Sequence, residues 1–285
     1  MLILLSASSV QIGAGAAAGL LRSYGVPLVV ALRLGFGALL LVIVRPPDLN
    51  RLVGGAGAWR SPVLLGIVFA AMNTSFYVAI SRIPLGIAVT LEFVGPLAAA
   101  LLGSRRWRDL AWVVCAGAGV WILARGRTEG ADVIGVAAAF LAGVGWFAFI
   151  HVGGRVAREW PDGRGLTVAM VVATVLVLPG ALVLGEPARL LAAPEIVLAG
   201  LLIAVFSSVL PMTLELAALG RLRPETYGIL ISLEPAVAAL AGFVLLGQPL
   251  GIEEVLAIGL VIVAGVGATL TARNVPVVPG EMEAS

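Results

Sequence analysis

Twice in this chain a glutamate stands beside a proline inside apolar sequence. ILISLEPAVAAL (229–240) sets Glu234 directly before Pro235, and VTLEFVGPLAAAL (89–101) sets Glu92 four residues ahead of Pro96. A charge at the centre of a membrane-buried helix costs about 2.5–3.5 kcal/mol on insertion scales, so an acid kept there tends to face a cavity or a partner. Proline donates nothing to the carbonyl four residues back. Pro96 therefore frees the carbonyl of Glu92, Pro211 that of Ser207 and Pro235 that of Ile231. Backbone left open at membrane depth is tolerated against protein or water, not lipid. Kinks are expected at Pro96, Pro211 and Pro235, and the two acid–proline elements read as bent helices lining a polar cavity.

Few other polar side chains lie inside the apolar runs: Gln11, Arg33, Asn73, His151, Ser207, Ser208 and Glu215, with Tyr77, Trp146 and Tyr227 as amphipathic aromatics. Each has a structural reading beside the functional one. Both acids fit a role satisfied by Arg33 or by backbone. Arg33 itself reads more readily as a packing anchor or an acid's partner than as a substrate contact. Gln11 and Asn73 suit a cavity wall or interhelical glue. His151, the single histidine, suits a proton relay or an interfacial polar group. Trp107 and Trp160, in arginine-rich connections, read as interfacial anchors.

These residues sit in a chain of 285 residues that is 60% hydrophobic and 12% charged, with mean hydropathy +1.09. Soluble domains carry roughly a quarter charged residues, so lipid is the expected solvent. Spans of a length that crosses a hydrocarbon core of about 30 Å are predicted near 2–21, 26–44, 61–80, 85–103, 109–124, 133–153, 164–184, 196–219, 225–246 and 251–271. Met1 leads into LILLSASSV without a basic n-region, so this run reads as a spanning helix, or as one shortened at its start, and not as a signal peptide. The basic residues are 18 arginines and no lysine. Twelve fall on the side of the even-to-odd connections and the C-terminus, and five on the other side, with Arg33 inside a span. That bias predicts cytoplasmic termini, and arginines so scattered make no nucleic-acid face.

SRIPLGIAVTLEFVGPLAAALL (81–102) resembles GRLRPETYGILISLEPAVAALAG (220–242), and AGAGV (116–120) resembles AGVGA (264–268). Both matches lie five spans apart. An odd shift reverses the direction of crossing, which is the inverted-topology repeat in which transporters hold a midplane site between their halves. The expected fold is an all-α integral membrane protein of ten transmembrane helices, as two inverted five-helix repeats over 1–126 and 127–285, the second with a short C-terminal tail. No phosphate loop, metal cluster or catalytic triad is present in the sequence. The expectation is a non-enzymatic protein without cofactor or metal.

IPLGIAVTLEFVGPLAAALLGSRRWRD and SLEPAVAALAGFVLLGQPL resemble the EamA-type exporters of the drug/metabolite transporter superfamily, nearest the threonine/homoserine exporter branch and akin to aromatic amino-acid exporters. The resemblance covers essentially the whole chain. It implies a bacterial inner-membrane exporter of amino acids, working by alternating access around a central cavity, with the lipid bilayer as a partner and protons as a candidate one. The cavity set expected on that basis is Gln11, Asn73, Tyr77, Glu92, Trp146, Tyr227 and Glu234, with Glu92 and His151 as proton-relay candidates. Glu92 would meet a substrate ammonium or a proton. Other cargo of the superfamily (a cationic drug, a nucleotide sugar, a purine) and an intramembrane enzyme or scaffold remain the alternatives, and oligomeric state is open. Glu92 and Glu234 stand differently to their prolines, which argues against a symmetric two-glutamate mechanism.

Overall fold

The computed structural model describes residues 2–48, 57–102, 110–125, 132–185, 194–211, 214 and 231–272. Among these residues there is helix and no strand. Helix α1 spans Leu2–Val44, α2 Arg60–Ile80, α3 Leu85–Glu92, α4 Val94–Leu102 and α5 Leu110–Arg125. Helices α6 (Val133–Glu159), α7 (Arg164–Leu184), α8 (Pro194–Ala204), α9 (Glu234–Leu246) and α10 (Ile252–Ala272) follow, with a π-helical turn over Val205–Val209 after α8. Among the described residues, five stretches are long and apolar enough to cross a membrane: Ser23–Val44, Arg60–Ile80, Val133–Glu159, Arg164–Leu184 and Ile252–Leu270. Shorter apolar helices lie at Leu5–Leu21, Leu85–Ala99, Ala111–Ile122, Ile196–Val209 and Glu234–Leu246.

The breaks have local causes. Helix α1 is two arms meeting at Gly25, whose φ of 72° and ψ of 164° only glycine adopts without strain. Pro27, two residues later, starts the second arm where a missing N–H costs nothing. The predicted fourth span is divided at Phe93, between α3 and α4. Leu97 N–H still reaches the Phe93 carbonyl at 3.2 Å. Ser232 and Leu233 form a turn before α9, so Pro235 occupies the first turn of a helix and does not kink a helix interior. Pro211 lies two residues past the π-turn, after Leu210.

The helices approach closely through small residues, since lipid supplies no hydrophobic drive between them. A Cβ on Gly86 of α3 would stand 2.7 Å from Ala239 Cα of α9, and one on Gly119 of α5 would stand 2.7 Å from the Ala257 carbonyl of α10. Gly95 of α4 lies against the backbone of Gly143 in α6. Ala116, Ala264 and Ala268 pack together between α5 and α10. Val133, Leu182, Val183, Val244 and Ile252 are exposed aliphatics, the outward apolar surface that a bilayer covers. Trp160 departs from the expected interfacial anchor. It is only 1% exposed, packed in the α6–α7 junction with its indole N–H donating to the Ala58 carbonyl at 3.4 Å. Trp107 lies outside the described residues.

Ion pairs among the described residues sit in connections. Asp132 caps α6 by accepting from Gly135 N–H at 2.9 Å and pairs with Arg82 at 2.9 Å. The Gly135 N–H first, then the Arg82 guanidinium, holds its carboxyl below the usual carboxylate range. A depressed carboxyl adds stability above the unfolded value of about 3.9 and loses it as pH falls through the folded value. The thermal midpoint of purified protein should therefore fall on acidification below pH about 4, by about 1–2 °C because an exposed pair contributes little. Asp132→Asn, which keeps the cap, should remove that part of the pH dependence. An unchanged acid profile in the variant counts against the pair.

Candidate functional site

A cavity of about 150 Å³ lies where α1, α2, α3, α6 and α7 meet the π-turn and the start of α9. Gln11, Arg33, Asn73, Glu92, Trp146, Ser207, Ser208 and Glu234 supply its polar wall, and Phe69, Met72, Phe76 and Phe149 much of its apolar wall. Drug-sized pockets run to roughly 300–1,000 Å³, so this space suits one small solute. A second cavity of about 400 Å³ lies at the helix ends around Gly19, Ser81, Arg82, Leu246 and Gln248. It holds neither carboxylate. Beside it Gln248 Oε1 accepts from Leu85 N–H at 3.0 Å and so ties the α9–α10 connection to the start of α3.

The two acids reach the central cavity from broken helix ends of opposite sense. Glu92 is the last residue of α3 and Glu234 the first of α9, so the dipoles of the two ends act on them with opposite sign. The breaks converge on one glycine. A Cβ on Gly265 of α10 would stand 2.6 Å from Ser232 Oγ and 3.0 Å from Phe93 Cε1. Phe93 in turn packs edge-on against Trp146, centroids 6.3 Å apart. Glu92 is 7% exposed, and no described residue hydrogen-bonds its carboxylate; Arg33 acts on it electrostatically. Glu234 accepts from Gln11 Nε2 at 3.3 Å.

The Ser207 carbonyl freed by Pro211 is taken up by protein. Across the π-turn, Leu210 N–H returns to the Val205 carbonyl, and Pro211 has no N–H to give. The carbonyls of Phe206 and Ser207 are then left open, and α1 closes them. Ser9 Oγ donates to the Phe206 carbonyl at 2.6 Å, and Arg33 Nη2 to the Ser207 carbonyl at 2.9 Å. Arg33 Nε reaches Ser208 Oγ at 3.5 Å, and its guanidinium lies 5.4 Å above the Tyr77 ring. The carbonyl freed by Pro96 does not face the cavity: a Cβ on Gly143 would stand 2.8 Å from the Glu92 oxygen. Ile231 is helical and precedes the Ser232–Leu233 turn before α9.

Gln11, Asn73, Glu92, Trp146 and Glu234 of the expected set thus share one cavity. Asn73 spends its amide nitrogen on the Phe69 carbonyl of its own helix, at 2.9 Å. Tyr77, fully buried, supports Arg33 and is not part of the cavity wall. Tyr227 lies outside the described residues. His151 is exposed on α6, with Nδ1 at 2.8 Å from the Phe147 carbonyl and its ring 4.4 Å from that of Phe147. At 3.6 residues per turn, position 151 stands roughly 140° around the helix from Trp146, away from the cavity. Arg33 is the wall residue that the sequence favoured as a packing anchor. Pro211 signalled only that the Ser207 carbonyl needs a donor, not that Arg33 supplies it.

Comparison with known proteins adds the relatives. Residues 133–270 match the model described as EamA-like transporter family. The chain is 40% identical to the threonine/homoserine exporter RhtA of Escherichia coli (strain K12) over 277 residues, 96% of this chain and 92% of that protein. It is likewise 40% identical to the same-named exporter of Salmonella typhimurium (strain LT2) over 279 residues, 97% and 92% respectively. A crystal structure that is 17% identical superposes with a TM-score of 0.59, covering 93% of this chain and 98% of that one, which speaks to the fold alone.

Proposed function

The chain belongs to the EamA-like transporter family, and from that membership we propose that it exports threonine, homoserine and related small amino acids across the bacterial inner membrane. It is a transporter and not an enzyme. The observation that carries the cargo reading is the pairing of opposite charges in one small cavity. Arg33 offers a carboxylate anchor, and Glu92, bound by no described hydrogen-bond donor, offers a place for an ammonium. A zwitterionic amino acid fits both, and a cation or an anion only one. The small volume argues against bulky drugs.

The architecture we infer is ten helices in two inverted units, 1–126 and 127–285, with cytoplasmic termini. The arginine bias supports the orientation, and the match over 133–270 falls within the second unit. Helix contacts support the repeat. The two segments related by the sequence match pack on each other, α3 on α9 and α5 on α10. Helix α2 also packs on α6, and α1 on α8 and the π-turn. In such a frame the halves rock about the cavity, giving alternating access.

The test is uptake of labelled threonine, phenylalanine and a cationic dye into proteoliposomes, with and without a pH gradient. Threonine movement without dye movement is expected, and dye movement alone overturns the reading. Glu92→Gln should slow threonine transport by at least about tenfold, for loss of one buried charged partner. If protons couple transport, it should also flatten the dependence on pH. Unchanged rate and pH dependence would remove Glu92 from the mechanism.

A further inference from the structure

Four buried side-chain polar atoms among the described residues stand without a hydrogen bond, and two of them belong to cavity residues not needed for the charges of a zwitterion: Gln11 Oε1 and Ser207 Oγ. Both side chains are well over nine-tenths buried, Gln11 at 1% and Ser207 at 6% exposure. Native proteins seldom leave such atoms unmatched, and those left so call for an explanation such as a ligand.

The neighbours hold both atoms in place. Glu234 binds the amide nitrogen of Gln11, which leaves the amide oxygen as the unused end. Ser207 gives its backbone carbonyl to Arg33, and its hydroxyl oxygen lies against Gly13 of α1, where any Cβ would overlap it. Gln11 and Gly13 stand about 200° apart around α1, so Gln11 and Ser207 come to the cavity they both line from different sides of that helix. Arg33, which binds the Ser207 carbonyl, lines the same cavity.

We propose that Gln11 Oε1 and Ser207 Oγ receive the side-chain hydroxyl of the transported amino acid, so that the cavity selects short hydroxylated amino acids over their methyl isosteres. A hydroxyl is one donor and two acceptors. It donates to the Gln11 amide oxygen, which only accepts, and takes the proton of Ser207, leaving neither atom unmatched. Valine has the shape of threonine with a methyl in place of the hydroxyl, and it restores both orphans. Sites built to hydrogen-bond a substrate hydroxyl discriminate strongly against the analogue lacking it, whereas apolar pockets separate isosteres weakly. The adjacency of the carboxylate anchor limits the hydroxyl to the first carbons of the side chain, as in serine, threonine or homoserine. The inference rests on the amino-acid reading above and adds to it the basis of side-chain choice.

The experiment is counterflow with the full chain in proteoliposomes preloaded with threonine, comparing competition by external threonine, homoserine, valine and 2-aminobutyrate. Wild type should prefer threonine over valine, and homoserine over 2-aminobutyrate, by at least about tenfold. In Ser207→Ala and in Gln11→Met both ratios should fall to near one. Ser207→Ala deletes a single oxygen, so it decides the matter if Gln11→Met fails to assemble. Equal competition by valine and threonine in wild type, or ratios preserved in Ser207→Ala, overturns the proposal and leaves amino-acid transport standing; the orphans then hold only water. Absence of exchange with any amino acid overturns the reading beneath it as well.

Discussion

Arg33→Gln should lower the initial rate of threonine transport by about a hundredfold. Removing one partner of a buried, hydrogen-bonded charge costs about 2–5 kcal/mol, and each 1.4 kcal/mol is a factor of ten. Two losses combine at this position. The Ser207 carbonyl, which Pro211 leaves without its helical donor, loses the Nη2 hydrogen of Arg33. The cavity also loses its cation, so an incoming carboxylate and the Glu92 carboxylate no longer have a counter-charge between them. Arg33→Lys separates the two effects. It restores charge as a single ammonium without the fork that reaches both Ser207 and Ser208, so only part of the rate should return. Counterflow in proteoliposomes reads both variants, and wild-type rates in Arg33→Gln would show that the guanidinium serves packing alone.

Gly143→Leu should act on the fold with comparable force. Gly143 and Gly95 bring the backbones of α6 and α4 into contact beside the carbonyl that Pro96 frees on Glu92. No side chain fits there, since even a Cβ at Gly143 would press on the Glu92 oxygen at 2.8 Å. Overpacking of this kind costs about 1–3 kcal/mol or more, which for a chain of this size lowers the thermal midpoint by roughly 5 °C or more. Because Glu92 sits at the displaced contact, transport should fall with it. Gly117→Ala supplies the comparison: a Cβ at Gly117 meets nothing within 4 Å, so melting should stay as in the parent. Melting of the detergent-solubilised variants decides the point. A Gly143→Leu protein as stable as Gly117→Ala would mean that α4 and α6 have room to part.

How far the sequence could be read follows from which interactions are local. The solvent of the chain and its helical class were legible because hydropathy summed over a span, set against bilayer thickness, is a property of consecutive residues. Proline's missing N–H strikes a carbonyl four residues away on its own helix, so the sequence could flag the neighbourhoods of Pro96, Pro211 and Pro235. The interruptions themselves fall at Phe93 and at Ser232 and Leu233. The acids were flagged by their cost alone.

What took up the freed carbonyls was not legible. Arg33 lies 174 residues from Ser207 and Ser9 lies 197 from Phe206, and no local pattern joins them. The Glu92 carbonyl turned to Gly143 and not to the cavity, and His151 turned outward while Trp146 and Phe149 of the same helix turned in. Each outcome depends on the rotation of one helix about its axis against its neighbours. The sequence by itself determined that this chain is helical, dissolved in lipid, and interrupted beside two acids. Only the tertiary structure decided which oxygens the interruptions leave open and which arginine closes one of them, because a freed backbone group states a need for a partner and only packing says where that partner stands.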